Sequence, residues 1–189
     1  MERELALYEV AGYLSFPEMY FKGKSGTIYL SFGTNRIGSG NVHIIAREHW
    51  PIPDDTTSFY YIQNLKPILY PSAAIYCSIN HNGKEIVPIC EIANVMWDNP
   101  YWHVNKKEPH LAVCPTHRFV IRFYINSGFS CMLYNSKGDI LPVNMVKIFD
   151  KLHEYKIDYR NLIKEKVAIS VYELENNPYK LKNNDSNSW

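Results

Sequence analysis

The sequence predicts an α+β protein: an antiparallel sheet built of hairpins, with an N-terminal helix, a short middle helix and a C-terminal helix. Asn82-Gly83 separates two apolar runs, and Asn-Gly is the strongest short-range hairpin signal. Residues 119–134 alternate around a second turn, as a half-buried strand pair does. Apolar residues at helical spacing occur near both ends of the chain. We expect one domain over residues 1–175 and a polar, flexible tail over 176–189.

The first third of the chain predicts a helix followed by strands. Residues 3–14 carry apolar side chains at i, i+3, i+4 and i+7, and the helix should end before Pro17. From Met19 the period changes to two, which predicts a hairpin with its turn at Gly23–Gly26. The remaining expectations here are a glycine-rich loop at 33–40, a strand at 42–46, an irregular stretch at 47–57 and a strand at 58–69.

The central hairpin should lead into the middle helix. Ile75, Cys77 and Ile79 are predicted to share one face of a strand, which turns at His81–Gly83. The return strand is predicted over 85–89, with Pro88 at its end because proline cannot donate within a ladder. Helical spacing follows in the residues Ile89, Ile92, Ala93 and Met96.

The second half predicts an irregular stretch, a strand pair and a terminal helix. Residues 97–109 read as irregular, whereas 119–125 and 129–134 should pair as strands. Pro142 suits a first helical turn, and a helical stripe runs from Met145 to Leu152. Residues 159–164 are expected to extend or restart that helix, and 167–171 to form a short strand.

The composition favours a soluble, cytoplasmic protein. Hydrophobic residues make up 46% and charged residues 21%, which argues against a disordered or membrane protein. The N-terminus lacks the apolar region of a secretory signal. The formal net charge of +1 argues against broad neutralisation of duplex DNA. The four cysteines are predicted to be small core residues rather than disulfide partners.

One cluster of potential metal ligands stands out. Cys114 and His117 have the two-residue gap of a zinc knuckle, and His103 and His110 could complete a tetrahedral site. However, the separations match no common zinc module, so surface or core side chains are the favoured interpretation and no cofactor is predicted.

Patterns typical of enzymes are weak in this chain. The glycines at 33, 38 and 40 lack the ending of a P-loop. Asp54, Glu154 and Lys156 can be aligned with a nuclease pattern, but Glu154 and Lys156 lie in a helical stretch. No nucleophile elbow is present, and no cysteine or serine pairs convincingly with a base. We therefore expect a protein that is not an enzyme.

Basic residues near the strand pair suggest an alternative function, that of a nucleic-acid-associated regulatory factor. The stretch 118–124 mixes basic and aromatic residues as RNA-binding sheets do, although alternation favours a core face for Phe119, Ile121 and Phe123. The candidate nucleic-acid contacts are Lys106, Lys107, Arg118 and Arg122.

Aromatic residues are abundant enough to suggest a protein-binding surface. The chain has 15 tyrosines, four tryptophans and eight phenylalanines, and such side chains often anchor interfaces. Aromatic filling of the core is the alternative explanation. The candidate partner contacts lie in or beside predicted irregular segments: Trp50, Tyr60, Tyr61, Trp97, Trp102 and His103.

Three segments resemble a family of uncharacterised small proteins of Bacteroidetes phages and prophages. These are residues 65–75 (LKPILYPSAAI), 81–89 (HNGKEIVPI) and the C-terminal helix and strand at 149–171. The resemblance covers the middle and the C-terminus, about half the chain, whereas residues 1–50 and 97–140 depart from it. Lys166 stands where the family has glycine, and no catalytic residues are carried over. The resemblance implies a mobile-element protein made inside a bacterial cell. From that context we expect an inhibitor that binds host machinery stoichiometrically, most sharply an anti-CRISPR protein that blocks an RNA-guided effector nuclease.

Overall fold

The computed structural model describes residues 5–16, 18–37, 41–50, 57–124 and 128–180, and confirms the α+β fold with helices near both ends. Three α-helices are present in these residues: α1 (Leu7–Leu14), α2 (Pro88–Met96) and α3 (Met145–Glu154). The strands, in chain order, are β1 (Met19–Gly23), β2 (Ile28–Ile37), β3 (Asn41–Trp50), β4 (Ser58–Tyr61), β5 (Leu65–Pro71), β6 (Ile79–His81), β7 (Lys84–Ile86), β8 (His103–Val104), β9 (Leu111–Val113), β10 (His117–Tyr124), β11 (Gly128–Asn135), β12 (Ile140–Leu141), β13 (Ile157–Asp158) and β14 (Ile169–Ser170).

The chain groups into two compact units. The first unit comprises residues 1–70 and 160–178, and the second comprises residues 71–159 and 179–189. Whether residues 1–175 fold as one cooperative domain stays a prediction, because compactness alone does not measure cooperativity. Within the predicted tail, Pro178–Lys180 form a 3₁₀ turn and residues 181–189 lie outside the described part of the chain.

The first unit is an antiparallel sheet of order β5-β1-β2-β3-β4, with β14 parallel to β5. Its core contains large side chains with almost no exposure, among them Tyr13, Phe21 and Ile68. Gly23 lies at the end of β1, where a Cβ would be 2.8 Å from the Tyr29 ring, so a larger residue would force that ring to move. β1 and β2 pair antiparallel, and the Gly26 N–H donates to the Gly23 carbonyl at 3.0 Å, so the hairpin and its turn form as the period of two predicts.

The strands of the first unit are longer than expected. β2 continues through residues 33–37, where a loop was expected, and a bulge lies between Ser31 and Gly33. β3 likewise includes residues 47–50 of the expected irregular stretch. Pairing between neighbouring strands holds these residues extended, and one-dimensional patterns do not report pairing. The expected strand over 58–69 is divided by a 3₁₀ turn at Ile62–Asn64, where Ile62 is buried.

The second unit contains a five-stranded antiparallel sheet of order β12-β11-β10-β9-β8, the hairpin β6–β7, and helices α2 and α3. One face of the sheet is buried through Ala112, Phe119, Ile121 and Leu133. This confirms the predicted core face of β10, whereas Phe123 is half-buried.

The central hairpin forms as predicted, but the strand before it does not. Asn82 and Gly83 both have positive φ, 51° and 74°, as a tight Asn-Gly turn requires. Residues 72–76 form a 3₁₀ helix instead of a strand, and Cys77 is exposed. The Tyr76 hydroxyl donates to the Ile121 carbonyl at 2.9 Å, a contact that the local pattern does not encode. Cys114 is buried, so the prediction of core cysteines holds there and is wrong at Cys77.

The two helices of the second unit differ from prediction mainly at their ends. Pro88 occupies the first turn of α2 rather than the end of the return strand, a position where its missing N–H costs nothing. α3 begins after Asn144, whose Oδ1 accepts the Lys147 N–H at 3.2 Å. Lys156 and Asn161 adopt left-handed φ of 56° and 63°, which ends the helix and prevents the predicted extension over 159–164.

Among the described residues, no helix is long and apolar enough to cross a membrane.

Candidate functional site

Three of the predicted partner contacts follow α2. We call residues 97–103 the aromatic segment. The Trp97 side chain is 44% exposed and its ring stacks on His117, with centroids 4.0 Å apart and an interplanar angle of 27°. Tyr101 is 69% exposed; the sequence places it among the aromatic residues in irregular segments, although it is not one of the six predicted contacts. Its position between two selected tryptophans was the available signal.

Hydrogen bonds hold the aromatic segment in one backbone conformation. Asn94 Oδ1 accepts the Asn99 N–H at 2.8 Å, and Asn99 Oδ1 accepts the Tyr101 N–H at 2.9 Å. Trp102 Nε1–H donates to the Trp97 carbonyl at 2.9 Å. These bonds restrict the backbone of the segment and the position of the Trp102 ring.

The aromatic segment ends on the sheet. His103 opens the edge strand β8 and is paired with Val113, which is paired with Arg118 of β10. Arg118 is in turn paired with Tyr134, and Tyr134 with Ile140. Residues paired directly across strands share a face, so these five side chains form one row. We call this side the exposed sheet face, since His103, Arg118 and Ile140 are all exposed.

Two arginines give the exposed sheet face its positive character. The Arg118 guanidinium lies 5.9 Å from the centre of the Tyr134 ring, within cation–π range. An Arg122 guanidinium nitrogen lies 2.7 Å from His110 Nε2. Because guanidinium can only donate, Nε2 is the acceptor and the imidazole proton is on Nδ1. Both arginines and the carboxylate-bearing Glu108 line a cavity of about 190 Å³.

The two predicted lysines lie on the turn before β9. Lys106 and Lys107 are exposed, and Asn105 Oδ1 accepts the Lys107 N–H at 2.9 Å. The four predicted basic residues therefore divide between this turn and the exposed sheet face of the same unit.

The other predicted partner contacts lie in the first unit. Trp50 ends β3, and its side chain lies outside the described part of the structure. Tyr60 packs on the Tyr29 ring at 4.4 Å, whereas Tyr61 is 48% exposed beside the buried His43.

Exposed aromatic residues also occur next to Tyr61. Phe59 is exposed on the same face of β4, and Phe32 is exposed at the bulge in β2 with the Arg47 guanidinium 5.0 Å from its ring centre. Neither was selected from sequence, although the period of two in β4 links Phe59 to Tyr61.

Other aromatic rings of the second unit pack on one another. Phe129 lies 5.6 Å from Phe123 and 5.4 Å from Phe149, and Phe149 lies 5.4 Å from Tyr159, measured between ring centroids. Several aromatic side chains are almost fully buried, among them Tyr13, Phe21 and Phe119. Core filling therefore explains part of the aromatic abundance, and the protein-binding explanation of the exposed rings stays a prediction.

The potential metal ligands do not converge. Within the described ranges, no group of three or more His, Cys, Asp or Glu side chains could hold a metal ion. Their contacts are instead with other groups: His103 Nδ1 with the Tyr101 carbonyl, His110 with Arg122, Cys114 with Thr116, and His117 with Thr116 and Trp97.

A charged cluster lies where α3 ends. Glu154 is 2.7 Å from Lys151 Nζ and 3.3 Å from His81 Nε2, so this carboxylate has the structural role of linking the helix to the hairpin β6–β7. Burial lowers the pKa of Lys156 to about 8 and raises that of Tyr155 to about 12. Burial also lowers the pKa of His81, an effect that Glu154 opposes.

The nuclease pattern has one further member, Asp54, which lies outside the described residues.

Compared with known proteins, the chain matches no family model, no curated protein and no solved structure.

Proposed function

We propose that this chain acts by stoichiometric protein binding, as an inhibitor of host machinery in a bacterial cell that carries a phage or prophage. The sharpest form of the proposal is an anti-CRISPR protein that occludes a surface of an RNA-guided effector nuclease or holds it in one conformation. The action is non-enzymatic and cytoplasmic.

The observation that carries the proposal is the pre-ordered aromatic segment. Exposed tryptophan and tyrosine rings on a backbone fixed by side-chain hydrogen bonds have the properties of interface anchors: large apolar area and low ordering cost. His103 connects this segment to the exposed sheet face, which would supply the polar rim. The resemblance of residues 65–75, 81–89 and 149–171 to phage proteins supports the inhibitor context.

The proposal is tested with RNA-guided effector complexes purified from Bacteroidetes strains. Cleavage of a matched target DNA is measured while the protein is titrated in, and inhibition should saturate near one protein per effector. Tyr101→Ala should raise the concentration needed by about 30-fold, as loss of a binding hot spot does. Tyr8→Ala is the matched control, because Tyr8 is 72% exposed on α1 of the first unit.

Affinity capture from a Bacteroidetes lysate separates the general proposal from its sharpest form. A host protein that survives nuclease treatment, is retained by Tyr8→Ala and is lost with Tyr101→Ala supports protein binding even if no RNA-guided nuclease is inhibited. Capture of nucleic acid alone would contradict the protein-binding proposal.

A nucleic-acid-associated regulatory factor is the second candidate, favoured by Arg118 and Arg122 on the exposed sheet face. Arginines beside an aromatic ring can pair with phosphates and stack on bases. Affinity for a fluorescent single-stranded RNA should then fall steeply with salt, and Arg118→Ala and Arg122→Ala should each weaken it by about tenfold. Lys137→Ala, which removes one exposed charge from the turn after β11, is the control. Absence of binding at low salt rejects this candidate.

A further inference from the structure

A second concave site lies in the first unit, where β1 ends and β5 begins. Its volume is about 440 Å³, within the range of small-molecule sites. It is lined by residues from the β1–β2 turn, the 3₁₀ turn before β5 and the segment around β14. Nothing in the proposed protein-binding surface uses it.

Three lysines converge on this cavity. Lys22 and Lys66 are paired directly across the β1–β5 ladder, so their side chains leave the sheet on the same face, and Lys24 follows on the turn. All three line the cavity, and basic side chains on a concave surface favour the binding of anions.

The remaining walls indicate an organic ligand rather than a bare ion. Val167 and Ile169 form an apolar wall, and the amides of Gln63 and Asn64 border it. Such a combination can cover an apolar or planar body while the amides pair with polar groups on its edge. Lysines at the other side suit phosphate groups, which they bind as point charges.

We propose that this cavity binds a phosphorylated small molecule of nucleotide size, with its phosphates among Lys22, Lys24 and Lys66 and its body against Val167 and Ile169. Three cations match the several negative charges of a nucleoside di- or triphosphate. Binding here is separate from partner binding by the aromatic segment.

Calorimetric titration of the full chain at fixed ionic strength tests this proposal. The panel contains nucleoside mono-, di- and triphosphates of each base, pyrophosphate, citrate and uncharged adenosine. At least one nucleotide should bind with a Kd of about 1 mM or tighter, and pyrophosphate, citrate and adenosine should each bind about tenfold more weakly. Lys22→Met, which keeps most of the side-chain volume, should weaken nucleotide binding by about tenfold.

Two further variants make the result decisive. Lys84→Met removes an exposed lysine that does not line the cavity and should leave affinity unchanged. Lys24→Met repeats the test at an exposed position, in case Lys22→Met lowers the melting temperature. The proposal is overturned if no nucleotide binds, if citrate or pyrophosphate binds as tightly as the best nucleotide, or if Lys84→Met weakens binding as much as the cavity variants do.

Discussion

Lys156 combines two features that oppose folding. Its side chain is 4% exposed, and its backbone has a left-handed φ of 56°, a conformation that glycine adopts at lower cost. Burial disfavours the charged ammonium and lowers the pKa to about 8, although the Glu154 carboxylate partly offsets this effect. Both features destabilise the folded state, and the part due to burial is present only while the ammonium is protonated.

This cost should appear as a pH dependence of stability. Because the pKa of Lys156 is lower in the folded state than the ordinary 10.5, the penalty is fully present below pH 8. The unfolded chain binds more protons between pH 8 and 10.5, so stability contributed by this residue rises across that window. Lys156→Met should thus raise the free energy of unfolding at pH 7.5 by about 2–3 kcal/mol, and the gain should shrink towards pH 10.

Urea unfolding of the wild-type protein and of Lys156→Met from pH 7.5 to pH 10 measures the difference in their free energies of unfolding. Cys90, whose pKa burial raises to about 11, titrates in the same window but is present in both proteins and cancels. A difference between the two proteins that does not change with pH would contradict the assignment.

The start of helix α3 is stabilised by the residue that precedes it, Asn144. Its apolar stripe buries Ile148 and Leu152 completely, while most of its other side chains are at least partly exposed. The first-turn N–H groups have no partners within the helix, and Asn144 satisfies one of them. Pro142 had indicated the start of this helix, but the capping side chain three residues before Lys147 defines it.

Removing this cap should destabilise the protein measurably. Asn144→Ala should lower the free energy of unfolding by about 1 kcal/mol, because the Lys147 N–H loses its side-chain acceptor. Asn144→Asp keeps an acceptor oxygen at the same position and should retain most of the stability. Equal losses for the alanine and aspartate variants in urea unfolding would contradict a capping role.

The backbone of the aromatic segment, in contrast, is held by side-chain hydrogen bonds along its length. Its residues have no periodic pattern, yet asparagine side chains replace the hydrogen bonds that a helix or strand would supply. An irregular segment can therefore have its backbone N–H groups satisfied, and exposed rings in it remain candidates for binding.

At the scale of the whole molecule, charge and aromatic residues are distributed rather than concentrated. The net charge is +1, and each unit contains its own group of basic residues: Arg118 and Arg122 in the second, and the cavity lysines in the first. Net charge excludes a strongly basic protein but says nothing about such local groups. Predicted partner contacts are likewise divided, three in each unit.

The sequence by itself determined the fold class, the Asn82-Gly83 hairpin, helix α2 and the two faces of β10. Each of these depends on turn chemistry or on a period within about ten residues, which the chain carries locally. The tertiary structure alone decided the 3₁₀ helix at 72–76, the extension of β2 and β3, and the cavity between Lys22 and Lys66. Those features arise when segments distant in sequence pair or pack, and no local pattern records which segments will meet.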